Sequence, residues 1–163
     1  MAELDSKLLH KLFEYCDGNL FWKIPSNTRT DIVGKKVGCL TETGYITTKI
    51  KGKNYLVHRI IYKMFNDVVP NTLDHIDGNR ANNKIENLRT ATPLQNSYNK
   101  KNYISNKTGI KGVNFNKQCN KYSARCQVNK KQNWLGLFET LDQAEIAVKI
   151  FRQQHHGEYA NHG

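Results

Sequence analysis

The segment from Tyr122 to Val128 constrains the fold of this chain more than any other. Tyr122, Ala124, Cys126 and Val128 alternate with Ser123, Arg125 and Gln127. A period of two with one apolar and one polar set fits a strand with a single covered face. Lys111 to Phe115 and Asn133 to Phe138 predict two companion strands. Their cover lies downstream, where Thr140-Leu141-Asp142-Gln143 is a capping box that opens a helix from Leu141 to His155, with Gly157 as its stop. Leu141, Ala144, Ala147, Val148 and Phe151 form the apolar side of that helix. Three short strands on one helix make a small domain, with Arg125 and Gln127 left to meet a ligand.

The rest of the chain is also punctuated at short intervals. Residues 6–16 predict an amphipathic helix through Leu8, Leu9, Leu12 and Phe13, capped by Ser6 and ended by Gly18, with a strand from Leu20 to Ile24. Tyr45 to Val57 predicts a hairpin turning at Lys51-Gly52-Lys53-Asn54, and Arg59 to Phe65 a helix that stops before Pro70. A short strand from Leu73 to Ile76 runs into the turn signal Asp77-Gly78-Asn79. After a polar loop, Thr92-Pro93-Leu94-Gln95 is a second capping box with Pro at the first helical position, which puts Asn96 in the first turn. Residues 99–109 are polar and read as a linker.

With 163 residues, the chain can bury one modest core or two small ones. No apolar run approaches the roughly 20 residues of a membrane span. The opening Met1-Ala2-Glu3-Leu4-Asp5 is acidic, unlike a secretory leader. The expectation is therefore a cytoplasmic protein with no membrane partner. Cys16, Cys39, Cys119 and Cys126 form no C-x-x-C pair, which predicts reduced, buried thiols rather than a zinc ribbon or a disulfide framework.

Charge is the strongest compositional signal. There are 25 Lys and Arg against 14 Asp and Glu, a formal net charge of +11. Between Asn87 and Phe138 stand ten Lys or Arg and no carboxylate, and Lys49, Lys51, Lys53, Arg59 and Lys63 form a second basic stretch. One-signed charge on this scale is a footprint for a polyanion such as nucleic acid. Lys49, Lys51 and Lys53 either line a groove with Tyr45 and Thr47 or form a solvated basic face.

Asp74-His75 and Asn96 carry the candidate chemistry. A carboxylate and an amide oxygen suit a hard cation such as Mg²⁺, leaving positions for water and phosphate. An adjacent imidazole can take a proton from the attacking water. Neighbours in a regular strand point to opposite faces, so the pair serves one site only on a frayed or twisted strand. By itself such a pair is more often structural than catalytic.

The wider pattern is Asp74-His75-Ile76-Asp77-Gly78-Asn79, then Asn82-Asn83, Glu86-Asn87-Leu88-Arg89 and Gln95-Asn96, with Val57-His58-Arg59-Ile60 upstream. Over roughly residues 58–98 this resembles the HNH endonucleases, and among them the homing type carried by bacteriophages. The resemblance implies a ββα-metal core, phosphodiester hydrolysis in double-stranded DNA, His75 as general base, Asp74 and Asn96 as ligands of Mg²⁺ or Mn²⁺, and Asn87 as the residue that holds the loop. Asn96 stands where the family name has its last histidine, and its amide oxygen still ligates metal. His58 reads as a packed structural histidine and Asp77 as a turn former. The paired cysteines that hold zinc in some members are missing, so no structural zinc is expected.

The segment 108–161 has a second resemblance, through Gly109-Ile110-Lys111-Gly112-Val113, Trp134-Leu135-Gly136-Leu137-Phe138 and Gly157-Glu158-Tyr159-Ala160. These are similar to the Apetala-two DNA-binding domain of plant ethylene-response factors, in which a three-stranded sheet enters the major groove. The resemblance implies DNA contacts from Lys111, Asn114, Asn116, Arg125, Gln127 and Trp134. Trp134 has an alternative reading as a core aromatic.

The expected fold class is α+β. An N-terminal helix and β-hairpin region (1–57) with expected DNA contact is followed by a ββα-metal nuclease core (58–100), a linker (101–108) and an Apetala-two-type domain (109–163), a three-stranded antiparallel sheet packed on one helix. The expected activity is metal-dependent, site-selective nicking or cleavage of double-stranded DNA, by a monomer or transient dimer, in the host cytoplasm if phage-encoded. The competing readings are a DNA-binding regulator with a decayed nuclease site and a basic RNA-binding or structural protein. Intact Asp74, His75, Asn87 and Asn96 weigh against the first. The absence of an aromatic single-strand platform weighs against the second.

Overall fold

The computed structural model describes residues 5–25, 30–100 and 106–162. Residues 1–4 of the acidic opening and 101–105 of the expected linker lie outside the described residues. The chain divides into two compact units, Met1–Thr90 and Ala91–Gly163. Helices and small antiparallel sheets are mixed in both, which makes the class α+β. Among the described residues no helix is long and apolar enough to cross a membrane.

The first unit opens with α1 (Ser6–Leu12), whose N-cap is Asp5, with its carboxylate on the Lys7 N–H. The helix is shorter than its apolar pattern predicts. At Phe13 the chain becomes extended and forms the hairpin β1 (Phe13–Cys16) and β2 (Asn19–Trp22). Phe13 is fully buried and packs on its cross-strand partner Trp22, with ring centroids 4.8 Å apart. Burying such a side chain gains about 1.5–3 kcal/mol. Helix propensities of ordinary residues differ by less than about 0.7 kcal/mol each, so the tertiary contact prevails. Asp17 (φ 44°) and Gly18 (φ 79°) make the tight turn, so Gly18 turns a hairpin instead of ending a helix.

A second sheet has the order β3 (Cys39–Leu40), β4 (Ile46–Ile50), β5 (Lys53–Leu56). Its hairpin is tighter than expected. Ile50 pairs with Lys53, and Lys51 (φ 47°) and Gly52 (φ 79°) alone make the turn. The helix α2 (Val57–Asn66) follows directly and buries Val57, Ile60, Ile61 and Met64 in a core shared with Leu9, Phe13, Leu20, Val37, Ile50 and Leu88. The last element is the ribbon of β6 (Leu73–His75) and β7 (Leu88–Thr90).

The second unit begins with α3 (Pro93–Tyr98), opened by the Thr92–Gln95 capping box. Its three-stranded sheet has the order β10-β9-β8, from β8 (Val113–Asn116), β9 (Lys121–Val128) and β10 (Lys131–Phe138). The helix α4 (Leu141–His156) carries the expected capping box at Thr140 and Gln143 and covers one face of the sheet. Val113, Ala124, Ala144 and Val148 are the centre of this core.

The buried row of α4 continues past its apolar residues at a spacing of four, through Arg152 and His156. Arg152 is 2% exposed and donates through Nη2 to the Lys111 carbonyl at 2.8 Å. The His156 ring stacks on Tyr98 at 3.7 Å. Neither contact follows from a hydrophobic pattern. Of the four free thiols Cys126 is buried, whereas Cys16, Cys39 and Cys119 are exposed and depart from the expected burial.

Candidate active site

Asp74 and His75 lie on β6, whose three residues are all buried. Asp74 is 5% exposed and faces its cross-strand partner Arg89, which donates from Nε at 3.0 Å and from Nη2 at 2.8 Å. Both bonds fall on Oδ2, so the guanidinium neutralises the carboxylate from one side. His75 is 4% exposed, and its Nε2 lies 3.0 Å from Oδ1 of the buried Asn83. The two neighbours are thus each fixed by a different partner, and both faces of this short strand are covered.

The loop between β6 and β7 is built by its own side chains. Asp77 accepts the Asn79 N–H at 2.8 Å and the Asn82 amide at 2.7 Å, and the Asn87 amide at 3.0 Å. Burial alone would raise the Asp77 pKa. The bonds from Asn82, Asn79 and Asn87, aided by the field of His75, outweigh it and hold the carboxyl below its usual range. Asn87 also donates to the Asn82 carbonyl at 2.8 Å and accepts the Asp77 N–H at 3.1 Å. One buried amide therefore closes the loop from both ends.

His58, at the start of α2, packs against the other side of His75 with ring centroids 5.0 Å apart. Tyr45 lies 5.3 Å from His58 and 6.1 Å from His75, and the Arg80 guanidinium caps Tyr45 at 4.9 Å. Burial, then the charges of His75 and Arg59, push the His58 pKa down to about 3, so this imidazole is neutral at physiological pH. Arg59 ties the same helix to the approach of β6 by donating to the Pro70 carbonyl at 2.9 Å.

Asp74, His75 and Asn87 belong to the first unit, whereas Asn96 lies half-buried in the first turn of α3, in the second. Among the described residues no three His, Cys, Asp or Glu side chains converge to enclose an ion. Asp74 carries a hard carboxylate oxygen, the donor type suited to a cation which keeps most of its shell for water and phosphate.

In the second unit, β9 leaves Arg125 and Gln127 exposed and turns Ala124 and Cys126 inward. Asn114 pairs with Ser123, Asn116 with Lys121, and Trp134 with Arg125, so these residues share the uncovered face of the sheet. Trp134 is 61% exposed and is not a core aromatic. Lys111 departs from its expected place on the first strand. It precedes β8, and its Nζ donates to the carbonyls of Tyr98 at 2.9 Å and Lys100 at 2.5 Å, with that of Asn161 at 3.5 Å. Burial and the Arg152 charge lower its pKa to about 8. Lys121 is taken up by Glu139 at 2.6 Å. Lys49, Lys51 and Lys53 are exposed along the first-unit hairpin.

Sequence reasoning did not find Arg89 as the partner of Asp74, nor Asn83 as the partner of His75. The signal for Arg89 was its register opposite Asp74 in a two-stranded ribbon. No such signal marks Asn83, which stands among several loop asparagines.

Comparison with known proteins bears on this geometry. The HNH endonuclease family model matches residues 55–98, which spans β6, β7 and their loop. Protein 3.8 of Escherichia phage T7 is 33% identical over 107 residues, 63% of this chain and 86% of that protein. An uncharacterised HNH endonuclease of Acanthamoeba polyphaga mimivirus is 35% identical over 132 residues, 79% of this chain and 67% of the viral protein. A shorter match, 43% over 56 residues, covers 33% of this chain and 32% of an SPbeta prophage-derived protein of Bacillus subtilis named as an HNH homing endonuclease. No solved structure matches. The buried Asp-His ribbon closed by its asparagine loop, matched by the family model and by relatives covered over most of their length, identifies this chain as an endonuclease of the HNH family.

Proposed function

We propose that this protein is a metal-dependent endonuclease that nicks or cleaves double-stranded DNA at selected sites, in the homing style, with a ββα-metal core and an Apetala-two-type second unit that reads DNA. The observation that carries the reading is the burial of Asp74 and His75 side by side on β6, with Arg89 on the first and Asn83 on the second. Such preorganisation suits a site that must act on a reacting group without rearranging.

In this reading His75 takes the proton of the attacking water, a step worth typically 10²–10⁴-fold in rate. Arg89 orients Asp74, and Asn87 keeps the loop closed around the site. Asp74, with Asn96 as the second expected ligand, would hold Mg²⁺ or Mn²⁺, which when bound offsets charge on the phosphate and leaving oxygen. The uncovered face of the second unit supplies base contacts from Arg125 and Gln127, with Asn114, Asn116 and Trp134 beside them. Lys49, Lys51 and Lys53 supply phosphate contacts from the first unit. The match to a phage protein supports action in a host cytoplasm.

The test is incubation with supercoiled plasmid and Mg²⁺, read as open-circular and linear product. His75→Ala abolishes cutting while folding and DNA binding persist. Asp74→Ala raises the metal concentration needed for residual activity. Undiminished turnover by His75→Ala at neutral pH rejects the assignment. A wild-type chain that binds DNA without cutting it points to the regulator reading.

A further inference from the structure

Asn83 is the most deeply buried polar residue of the loop, at 1% exposure. Its Oδ1 faces His75 Nε2 at 3.0 Å, and its Nδ2 is buried with no partner. An apolar side chain of similar shape would leave no orphaned donor there, so the amide is costly to stability and its only visible use is the oxygen. An amide oxygen can only accept. The contact therefore makes Nε2 the protonated nitrogen of a neutral His75 and leaves Nδ1 as the basic one.

The backbone that carries Asn83 is held by an element remote in sequence. The turn of the β1–β2 hairpin presses on it: a Cβ built on Gly18 would lie 2.7 Å from Lys84 N and 3.1 Å from Asn83 C. Beside this contact, Lys84 Nζ pairs with Asp17 at 2.7 Å, and the Ile85 N–H donates to the Tyr15 hydroxyl at 3.1 Å. Three successive residues, 83 to 85, thus rest on Tyr15, Asp17 and Gly18.

We propose that Asn83 is the positioning residue of the general base, fixing the His75 ring and its tautomer, and that the hairpin Phe13–Trp22 is the buttress that holds Asn83 in place. The proposal rests on the reading of His75 as the base. It gives the N-terminal region a role in the chemistry beyond DNA contact. The hairpin touches neither Asp74 nor His75 through any bond described above, and acts through the loop.

The experiment uses the full chain labelled with ¹⁵N-histidine. Long-range proton–nitrogen correlation reports which His75 nitrogen carries the proton, with His75→Ala identifying the signal. The wild type shows the proton on Nε2. Asn83→Ala loses that preference and lowers kcat by about 10–100-fold with KM unchanged, as loss of an orienting partner does elsewhere. Asn83→Asp, which keeps an acceptor at the same place, restores the Nε2 proton and recovers much of the turnover. Gly18→Ala must displace the 83–84 peptide, and it shifts the His75 signal and lowers kcat even though residue 18 contacts no reacting atom. It also serves where Asn83→Ala fails to fold.

A wild-type proton on Nδ1 overturns the proposal. So does Asn83→Ala with unchanged signal and turnover, or Asn83→Asp as inactive as Asn83→Ala. Failure of the base reading is separate: His75→Ala would then still cut, whatever the tautomer measurement gives.

Discussion

His58 ties the stability of the first unit to pH. Its folded pKa of about 3 lies below the ordinary 6.5, so between those values the unfolded chain takes up a proton that the folded one refuses. Stability is complete above pH 6.5 and declines as pH falls towards 3, by at most about 1.4 kcal/mol per pH unit. Urea unfolding over that window should show this slope, and His58→Gln should flatten it. Lys111 illustrates what a sequence hides at this scale. A lysine in a basic, DNA-binding-like segment reads as a phosphate or base contact, yet its Nζ is used on backbone carbonyls, one of them 50 residues away. Lys111→Met should leave those carbonyls without their donor and cost about 1–3 kcal/mol, with little change in DNA affinity. A variant with full stability and weakened binding would return Lys111 to the DNA face.

At the scale of the element, the proposed reading gives β9 and its turn two kinds of contact. Arg125 is exposed at the middle of the uncovered face, where its guanidinium can bridge guanine O6 and N7. Lys130 is exposed in the β9–β10 turn and, in the proposed reading, meets phosphate. Arg125→Ala should cost about 1–3 kcal/mol at the cognate site and relax preference there. Lys130→Ala should weaken all sequences alike and reduce the salt slope by about one. Binding to cognate and scrambled duplexes across a salt series distinguishes them; an equal Arg125→Ala loss on both would make that arginine a backbone contact. The elements legible beforehand were those with local causes. Both capping boxes formed where Thr92 and Thr140 put them, and the alternation in β9 set which face is covered. Of the N-terminal hairpin only the second strand was legible; the first was not, because Phe13 continues a helical pattern and leaves it for the contact with Trp22.

For the whole molecule, a single candidate site stands among the described residues. One Asp-His pair per chain should nick supercoiled plasmid to the open-circular form first, with linear product appearing later and rising with protein concentration. Simultaneous appearance of linear DNA at the lowest concentration would indicate a paired assembly. The order of Asp74, His75, Asn87 and Asn96 along the chain was enough to suggest the family, since the short motifs occur at fixed gaps. What the order does not encode is the support. Arg89 behind Asp74 and Asn83 behind His75 follow only when the ribbon pairs and the loop closes.

The chain has two tryptophans, one in each compact unit, in opposite surroundings. Trp22 is half-buried against Phe13, while Trp134 stands open on the uncovered sheet face. Each unit therefore carries its own intrinsic fluorophore. With Trp22→Phe, emission comes from Trp134 alone and should be quenched on adding duplex; with Trp134→Phe, the remaining signal should ignore DNA and follow only the melting of the N-terminal hairpin.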